Sequence, residues 1–217
     1  MDRPQRIAII GAAGQLGSGL AFRLARAGHR LVLGSRTPQR AAEAAAALRM
    51  RVAEADVQAM DNIAAAAAAD WIVVTVPFAA QRETLESIRA AVQGKLVIDA
   101  TVALQPPKVG TVQLPPEGCA GVISAQTLGE QVRLVTALQN VPAKELAEDH
   151  PIDCDVLVCG EDRDTKGAVI GLLETIGLRG LDAGGIRNAA AAEAMTSVLI
   201  TLGRRYKVQP AIRITGL

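Results

Sequence analysis

Three glycines, Gly11, Gly14 and Gly17, come directly after the apolar run Ile7–Ile10 and open an amphipathic stretch. A turn that leaves a strand and starts a helix on glycines can hold a pyrophosphate. The backbone comes close enough to touch it, and the first amides of the helix have no partner of their own. The common dinucleotide fingerprint places its second glycine two positions after the first. Here the interval is three, so Ala13, Gly14, Gln15 and Leu16 are expected to line the phosphates, with Gly11 making the turn. A glycine triplet alone is a weak signal, and an ordinary glycine-rich turn is its alternative. The strand before it and the helix after it supply the context that the phosphate reading needs.

The end of the next apolar run bears on which dinucleotide this would be. An acid about 20 residues past the glycines would accept from a ribose 2′-hydroxyl, whereas arginine there suits a 2′-phosphate. The run LVLGSRTPQR places Ser35 and Arg36 at that point, with Arg40 one helical turn on. A hydroxyl, a guanidinium fork and a second cation favour NADP(H). The alternative is a solvated helix start, but cations at a helix N-terminus are slightly unfavourable without an anion beside them. Further along, Thr75, Val76 and Pro77 close the run WIVVTVP and are candidates for the wall that a nicotinamide would face; a strand ending at a proline turn is the other reading.

These residues need a scaffold. Short β-branched runs alternate with alanine-rich helical stretches from RIAIIG to KLVIDAT, as a parallel sheet covered on both faces requires. The expected fold is α/β, a doubly wound Rossmann-type parallel sheet with a small C-terminal α+β domain. The expected division is a nucleotide-binding domain over 1–152 and a smaller one over 153–217. An irregular piece carrying PPKVG and LPPEG follows KLVIDAT, and helices are expected over 163–176 and along NAAAAEAMTSVLITLGRRYK. The alanine tracts 44–47 and 64–69 read as helix packed closely on the sheet.

Composition narrows the partners. With 23 Lys and Arg against 22 Asp and Glu, the net charge of +1 supplies no field to gather nucleic acid. The aromatics Phe22, Trp71, Phe78 and Tyr206 are too scattered to stack bases. Cys119, Cys154 and Cys159 lack zinc-type spacing and read as reduced thiols, so no metal site is expected and the protein is expected to be cytoplasmic. The apolar run after Arg6 is too short for a signal segment, and Asp70 and Pro77 break the most apolar window, so no membrane association is expected. His29 and His150 read as loop residues, and Lys95 as the solvated start of a strand ending in Asp99. Asp153 and Asp155 share a strand face without an evident metal partner. No Ser-Tyr-Lys or His-Asp constellation stands at the strand ends, so no catalytic acid or base is assigned.

The segments GAAGQLGSGLAFRLARAGH, LGSR, VTVPFAAQRETLESIR, KLVIDATV, ALQNVPA, PIDCDVLVCGEDRD, LDAGGIRNAAAAEAMTSVLI and AIRITGL, taken in order, resemble the NADPH:coenzyme F420 oxidoreductases across nearly the whole chain. The resemblance implies a hydride passed directly between NADP(H) and the deazaflavin coenzyme F420. It also implies NADP contacts at Ala13 to Leu16, Ser35, Arg36 and Arg40, and nicotinamide-side contacts at Thr75, Val76 and Ala143. By the same resemblance the deazaflavin pocket is expected at Gln139, Val141 and Thr196, and a homodimer is expected through the C-terminal part. Some relatives carry His where Gln139 stands and Thr where Asn140 stands. Direct hydride transfer asks for alignment more than for acid or base groups. Reduction of another acceptor (a flavin, imine or ketone), or a non-catalytic NADPH-sensing role, would use the same cofactor residues. Thr196 could also bond back to its own helix, and Gln139 could be an ordinary loop residue.

Overall fold

The computed structural model describes residues 5–217. The first four residues of the opening segment lie outside the described part. Five parallel strands, β1 (Arg6–Ile10), β2 (Arg30–Ser35), β3 (Val57–Asp61), β4 (Trp71–Val74) and β5 (Leu96–Asp99), alternate with α1 (Gln15–Arg26), α2 (Pro38–Arg51), α3 (Asn62–Ala68) and α4 (Phe78–Ile88). Then come α5 (Ala120–Leu128), β6 (Arg133–Thr136), the single turn α6 (Ala143–Leu146), β7 (Asp155–Gly160), α7 (Arg163–Thr175), β8 (Arg179–Asp182) and α8 (Ala189–Tyr206).

The eight strands form one sheet in the order β3-β2-β1-β4-β5-β6-β7-β8, and β6–β7 is the antiparallel pair in it. The chain leaves β1 toward β2 and β3, then returns to lay β4 on the other side of β1. This reversal of winding leaves a crevice beyond the carboxyl ends of β1 and β4, where ligands of such sheets bind. Strands β1, β4 and β5 are almost wholly apolar because both faces are covered. Ile7, Ile9, Trp71, Val73, Leu96 and Ile98 point to one core, and Ala8, Ile10, Ile72, Val74 and Val97 to the other. The alanine tracts fall in α2 and in and just after α3, with Ala45, Ala65 and Ala66 buried and Ala46, Ala47 and Ala67 exposed.

Strand β3 is absent from the sequence-based expectations, for a physical reason. Its sequence VQAMD is half-exposed at the sheet edge and lacks the apolar run of the central strands. Helix α5 lies within the stretch read as irregular; buried on nearly every side, it shows no polar face by which to recognise it. The segment after Ile152 adds β7 and β8 to the same sheet through the pairs Val135–Gly160 and Thr136–Cys159. Gly160 permits this junction, since a Cβ there would come within 2.6 Å of Val135 Cγ1 and 2.9 Å of the Leu134 carbonyl.

The C-terminal tail is tied back to β7. Asp155, wholly buried, accepts two bonds from Arg179, at 2.6 and 2.7 Å, and one from the Ile214 amide at 2.6 Å, while its own amide donates to the Ile212 carbonyl. The Arg179 guanidinium holds the Asp155 carboxyl below the usual carboxylate range. The Asp153/Asp155 pair is thus divided. Asp155 is the buried anchor of the tail, and Asp153 an exposed partner of Arg213. Lys95 does more than start a strand. Its Nζ donates to the carbonyls of Ala66 and Ala67 at 2.8 and 2.9 Å, closing the last turn of α3. His29 reaches Thr175 Oγ1 at 2.8 Å, and His150 pairs with Glu145.

Candidate functional site

The glycine turn is built by the sheet it leaves. The amides of Gly11 and Ala12 donate to the Gly34 carbonyl of β2, and the Gly14 amide folds back to the Gly11 carbonyl. Gly11 has φ +87°, a conformation that side chains rarely take. Helical bonding in α1 begins with the Ser18 amide on the Gly14 carbonyl, so the amides of Gln15, Leu16 and Gly17 precede the first helical bond. Gly17 lets the helix press onto β4. A Cβ there would meet Thr75 Oγ1 at 2.7 Å and the Gly11 carbonyl at 2.8 Å.

Two of the cavities beside this turn and the start of α1 hold most of the candidate residues. The first, about 540 Å³, is lined by Gly11, Ala13, Gly14, Ser35, Arg36, Arg40, Asn62, Thr75, Val76 and Pro77, with Ala79, Ala80, Glu83 and Thr84 from the start of α4. Ser35 is buried at the end of β2, whereas Arg36 and Arg40 are exposed and have no ion-pair partner among the described residues. Pro38 opens α2 and Arg40 sits in its first turn, which carries no acid. The Thr75 hydroxyl and amide both donate to the Ile10 carbonyl at 2.9 Å, so Thr75 contributes shape more than a free donor.

The second cavity, about 510 Å³, is lined by Gln15, Leu104, the segment Gln139–Ala143, Thr196, Leu199, Ile200, Gly203 and Arg204 of α8, and Val208–Pro210 of the tail. Gln139 is buried and its amide donates to the Asp99 carbonyl at the end of β5, at 3.2 Å. Thr196 Oγ1 lies 2.9 Å from the Gln139 carbonyl and 3.1 Å from that of Ala192, one helical turn back. Asn140 donates to the Ala192 carbonyl and to Thr196. A net of short polar contacts thereby fastens the Gln139–Val141 strip to α8.

Fifteen residues were singled out from the sequence. Nine of them line the first cavity: Gly11, Ala13, Gly14, Ser35, Arg36, Arg40, Thr75, Val76 and Pro77. Five line the second: Gln15, Gln139, Val141, Ala143 and Thr196. Ala143, expected on the nicotinamide side, thus lies with Gln139 and Val141. Gln15, the first residue of α1, lines the second cavity, next to the turn that borders the first. The side chain of Leu16 turns inward and packs on the main core, leaving its backbone at the helix start.

Three polar groups here take places that the sequence does not show, Asp99 being legible only as the end of β5. Asn62 follows the unrecognised β3 and lines the first cavity. Asp99, fully buried, accepts from Gln81 at 2.7 Å, from Ser124 at 2.5 Å and from the Thr101 amide. Glu193, on the α8 turn before Thr196, accepts from the amides of Ala120 and Gly121, the first two residues of α5, at 2.9 and 3.1 Å, and from Ala103 at 3.4 Å. Burial pushes the Asp99 carboxyl up, and pushes Glu193 up to about 7. Neither has a cationic partner among the described residues. Burial likewise pushes Cys154 and Cys159 up to about 11, so these are packed thiols rather than nucleophiles. Among the described residues no group of three His, Cys, Asp or Glu could hold a metal ion.

A doubly wound sheet with a glycine turn at its reversal point defines a Rossmann-type protein, and solved structures carry the same architecture. A hypothetical protein from Sinorhizobium meliloti superposes with a TM-score of 0.71 at 22% identity, covering 87% of this chain and 88% of that one. An imine reductase from Myxococcus stipitatus gives 0.66 at 18%, covering 94% and 63%. At such identities the likeness shows the fold alone. Sequence comparison goes further, since the model for "NADP oxidoreductase coenzyme F420-dependent" matches residues 6–103. The F420-dependent NADP reductase of Methanothermobacter thermautotrophicus is 41% identical, covering 98% of this chain and 95% of its own, and that of Methanocaldococcus jannaschii 36%, covering 98% and 99%. The chain belongs to the F420-dependent NADP reductase family.

Proposed function

We propose that this protein transfers a hydride directly between NADP(H) and the deazaflavin coenzyme F420. The observation that carries the reading is a pair of cavities, one bordered by the glycine turn and the other by Gln15 at the start of α1; the first is edged by Arg36 and Arg40, which have no ion-pair partner among the described residues, and the second by an apolar strip with amide and hydroxyl groups. The residues present suit both molecules. The amides at the start of α1 and the cations Arg36 and Arg40 suit a pyrophosphate and a 2′-phosphate. Thr75, Val76 and Pro77 give the nicotinamide a flat wall. Gln139, Val141 and Thr196 would hold a planar acceptor, with Ala143 beside them on the side that meets the nicotinamide. When both are bound, hydride passes between nicotinamide C4 and the deazaflavin C5. The chain's part is to hold the rings parallel, which needs rigid walls rather than a proton donor. This agrees with Thr75 and Thr196 having their hydroxyls committed to carbonyls.

The same reading includes a homodimer. Along α8, Met195, Val198, Leu202 and Tyr206 are spaced i, i+3, i+7 and i+11 and are 40%, 43%, 38% and 63% exposed, an apolar stripe suited to a second copy. It also includes a functional division near Ile152, the later segment completing the acceptor cavity and the dimer, and a cytoplasmic protein without membrane or nucleic-acid partners. Among the described residues no helix is long and apolar enough to cross a membrane. The test is spectroscopic. Mixed with NADPH and oxidised F420, the protein should bleach the deazaflavin absorbance. Turnover with a flavin, imine or ketone but none with F420 would overturn the acceptor assignment.

A further inference from the structure

Among the described residues three buried side-chain polar atoms lack a hydrogen-bond partner: Asn62 Oδ1, Gln81 Oε1 and Thr136 Oγ1. Of these residues, Asn62 alone lines the cavity edged by Ser35 and Arg36. It begins α3 immediately after Asp61, whose register partner across the β2–β3 pair is Ser35. The residue is 9% exposed, and its side chain rests over Gly34 of β2, where an added Cβ would stand 3.1 Å from Asn62 Oδ1. Gly34 thus makes room for the amide.

Nothing in the local structure asks for asparagine here. The cap of α3 is supplied by Asp61, which accepts from the Ala64 amide at 2.9 Å. Asparagine is a mediocre helix former, and an unmet buried oxygen is costly to keep. An amide whose buried oxygen has no protein partner, on a residue that lines this cavity beside Ser35, is a group awaiting a ligand.

We propose that Asn62 is a binding residue for the dinucleotide, its side-chain amide engaging a hydroxyl of the adenosine ribose next to Ser35. The inference rests on the assignment of this cavity to NADP(H). Arg36 and Arg40 read the 2′-phosphate, whereas Asn62 reads the sugar, so its contribution is common to NADPH and NADH.

This role has a signature that a structural residue would not show. Replacing an unsatisfied buried group removes a defect of the free protein while removing a contact of the complex. Two variants serve: Asn62→Ala, and the near-isosteric Asn62→Leu, which keeps the volume should the first leave a damaging void. Dissociation constants for NADPH and NADH are measured by fluorescence titration, and melting temperatures without ligand by calorimetry. The expected result is a melting temperature equal to or above that of the unmodified protein, with both dinucleotides weakened by a similar factor of about 5 to 20. Unchanged binding of both dinucleotides would overturn the proposal. So would a loss confined to NADPH, or a fall in the unliganded melting temperature with binding intact. Failure of the unmodified protein to bind NADPH is a separate outcome, and it would overturn the cavity assignment together with this inference.

Discussion

The same chemical change, glycine to alanine inside a helix, should have opposite effects at two places in this protein. Gly17 sits in the first turn of α1, buried, and a Cβ there would stand 2.7 Å from Thr75 Oγ1, 2.8 Å from the Gly11 carbonyl oxygen and 2.9 Å from the Ala12 Cα. Two of these three neighbours are backbone, in a turn pinned to the Gly34 carbonyl, so they cannot step aside. Overpacking of this kind costs about 1–3 kcal/mol, and rigid neighbours place it near the upper figure. Alanine's better helix propensity returns about 1 kcal/mol, leaving a net loss of about 2 kcal/mol. Gly171, inside α7 and exposed, has nothing within 4 Å of the position a Cβ would take, so the propensity gain of about 1 kcal/mol stands alone. For a chain of this length each kcal/mol moves the melting temperature by about 2–4 °C. Gly17→Ala should therefore melt about 4–8 °C lower and Gly171→Ala about 2–4 °C higher than the unmodified protein, by calorimetry without ligand. Gly17→Ala should also show a smaller rise in melting temperature on adding NADPH, because the strain falls on the phosphate turn. A Gly17→Ala variant as stable as the parent, or shifts of the same sign at both sites, would refute the packing argument.

Arg36→Ala and Arg40→Ala should each weaken NADPH by about tenfold or more, a charge-assisted hydrogen bond contributing about 1.5–3 kcal/mol, and should leave NADH nearly unchanged; equal losses in titrations would show that neither reads the 2′-phosphate. Glu193 should make stability fall as pH rises from 4.5 to about 7. Across that window the unfolded chain has released the proton that the folded chain keeps, and about 2.5 pH units at roughly 1.4 kcal/mol each gives on the order of 3 kcal/mol. Urea unfolding at several pH values checks this, and Glu193→Gln should flatten the slope. Asp155 acts in the opposite sense. Its depressed carboxyl stabilises the fold above pH 3.8 and loses that effect as pH falls through its folded value, and Asp155→Asn should loosen the tail, read as faster proteolysis near Arg213.

What could be read before any coordinates were those features whose cause is local. The glycine turn announces itself because Gly11, Gly14 and Gly17 must follow a strand and open a helix within a few residues, and Ser35 and Arg36 because they end the next apolar run. The central strands declare themselves because burial on both faces demands unbroken apolar runs. Other features are set by residues far apart in the chain. Strand β3 exists because β2 offers it an edge, not because VQAMD is a strong strand sequence, and Asn62 was hidden with it. Gln139 acquires its place from the Asp99 carbonyl, 40 residues away. Thr196 lies near the Ala192 carbonyl of its own helix, the back-bond its sequence allows, and its oxygen also lies near the Gln139 carbonyl, a contact that only the packing of that strip on α8 supplies. Glu193 shows the limit most plainly. Nothing in the alanine-rich sequence of α8 marks it out, and only the packing of α8 on α5 buries its carboxylate against the amides of Ala120 and Gly121. Local sequence decided backbone conformation and which faces had to be covered; the tertiary structure decided which polar groups meet, because desolvation and hydrogen bonding depend on neighbours that no short window contains.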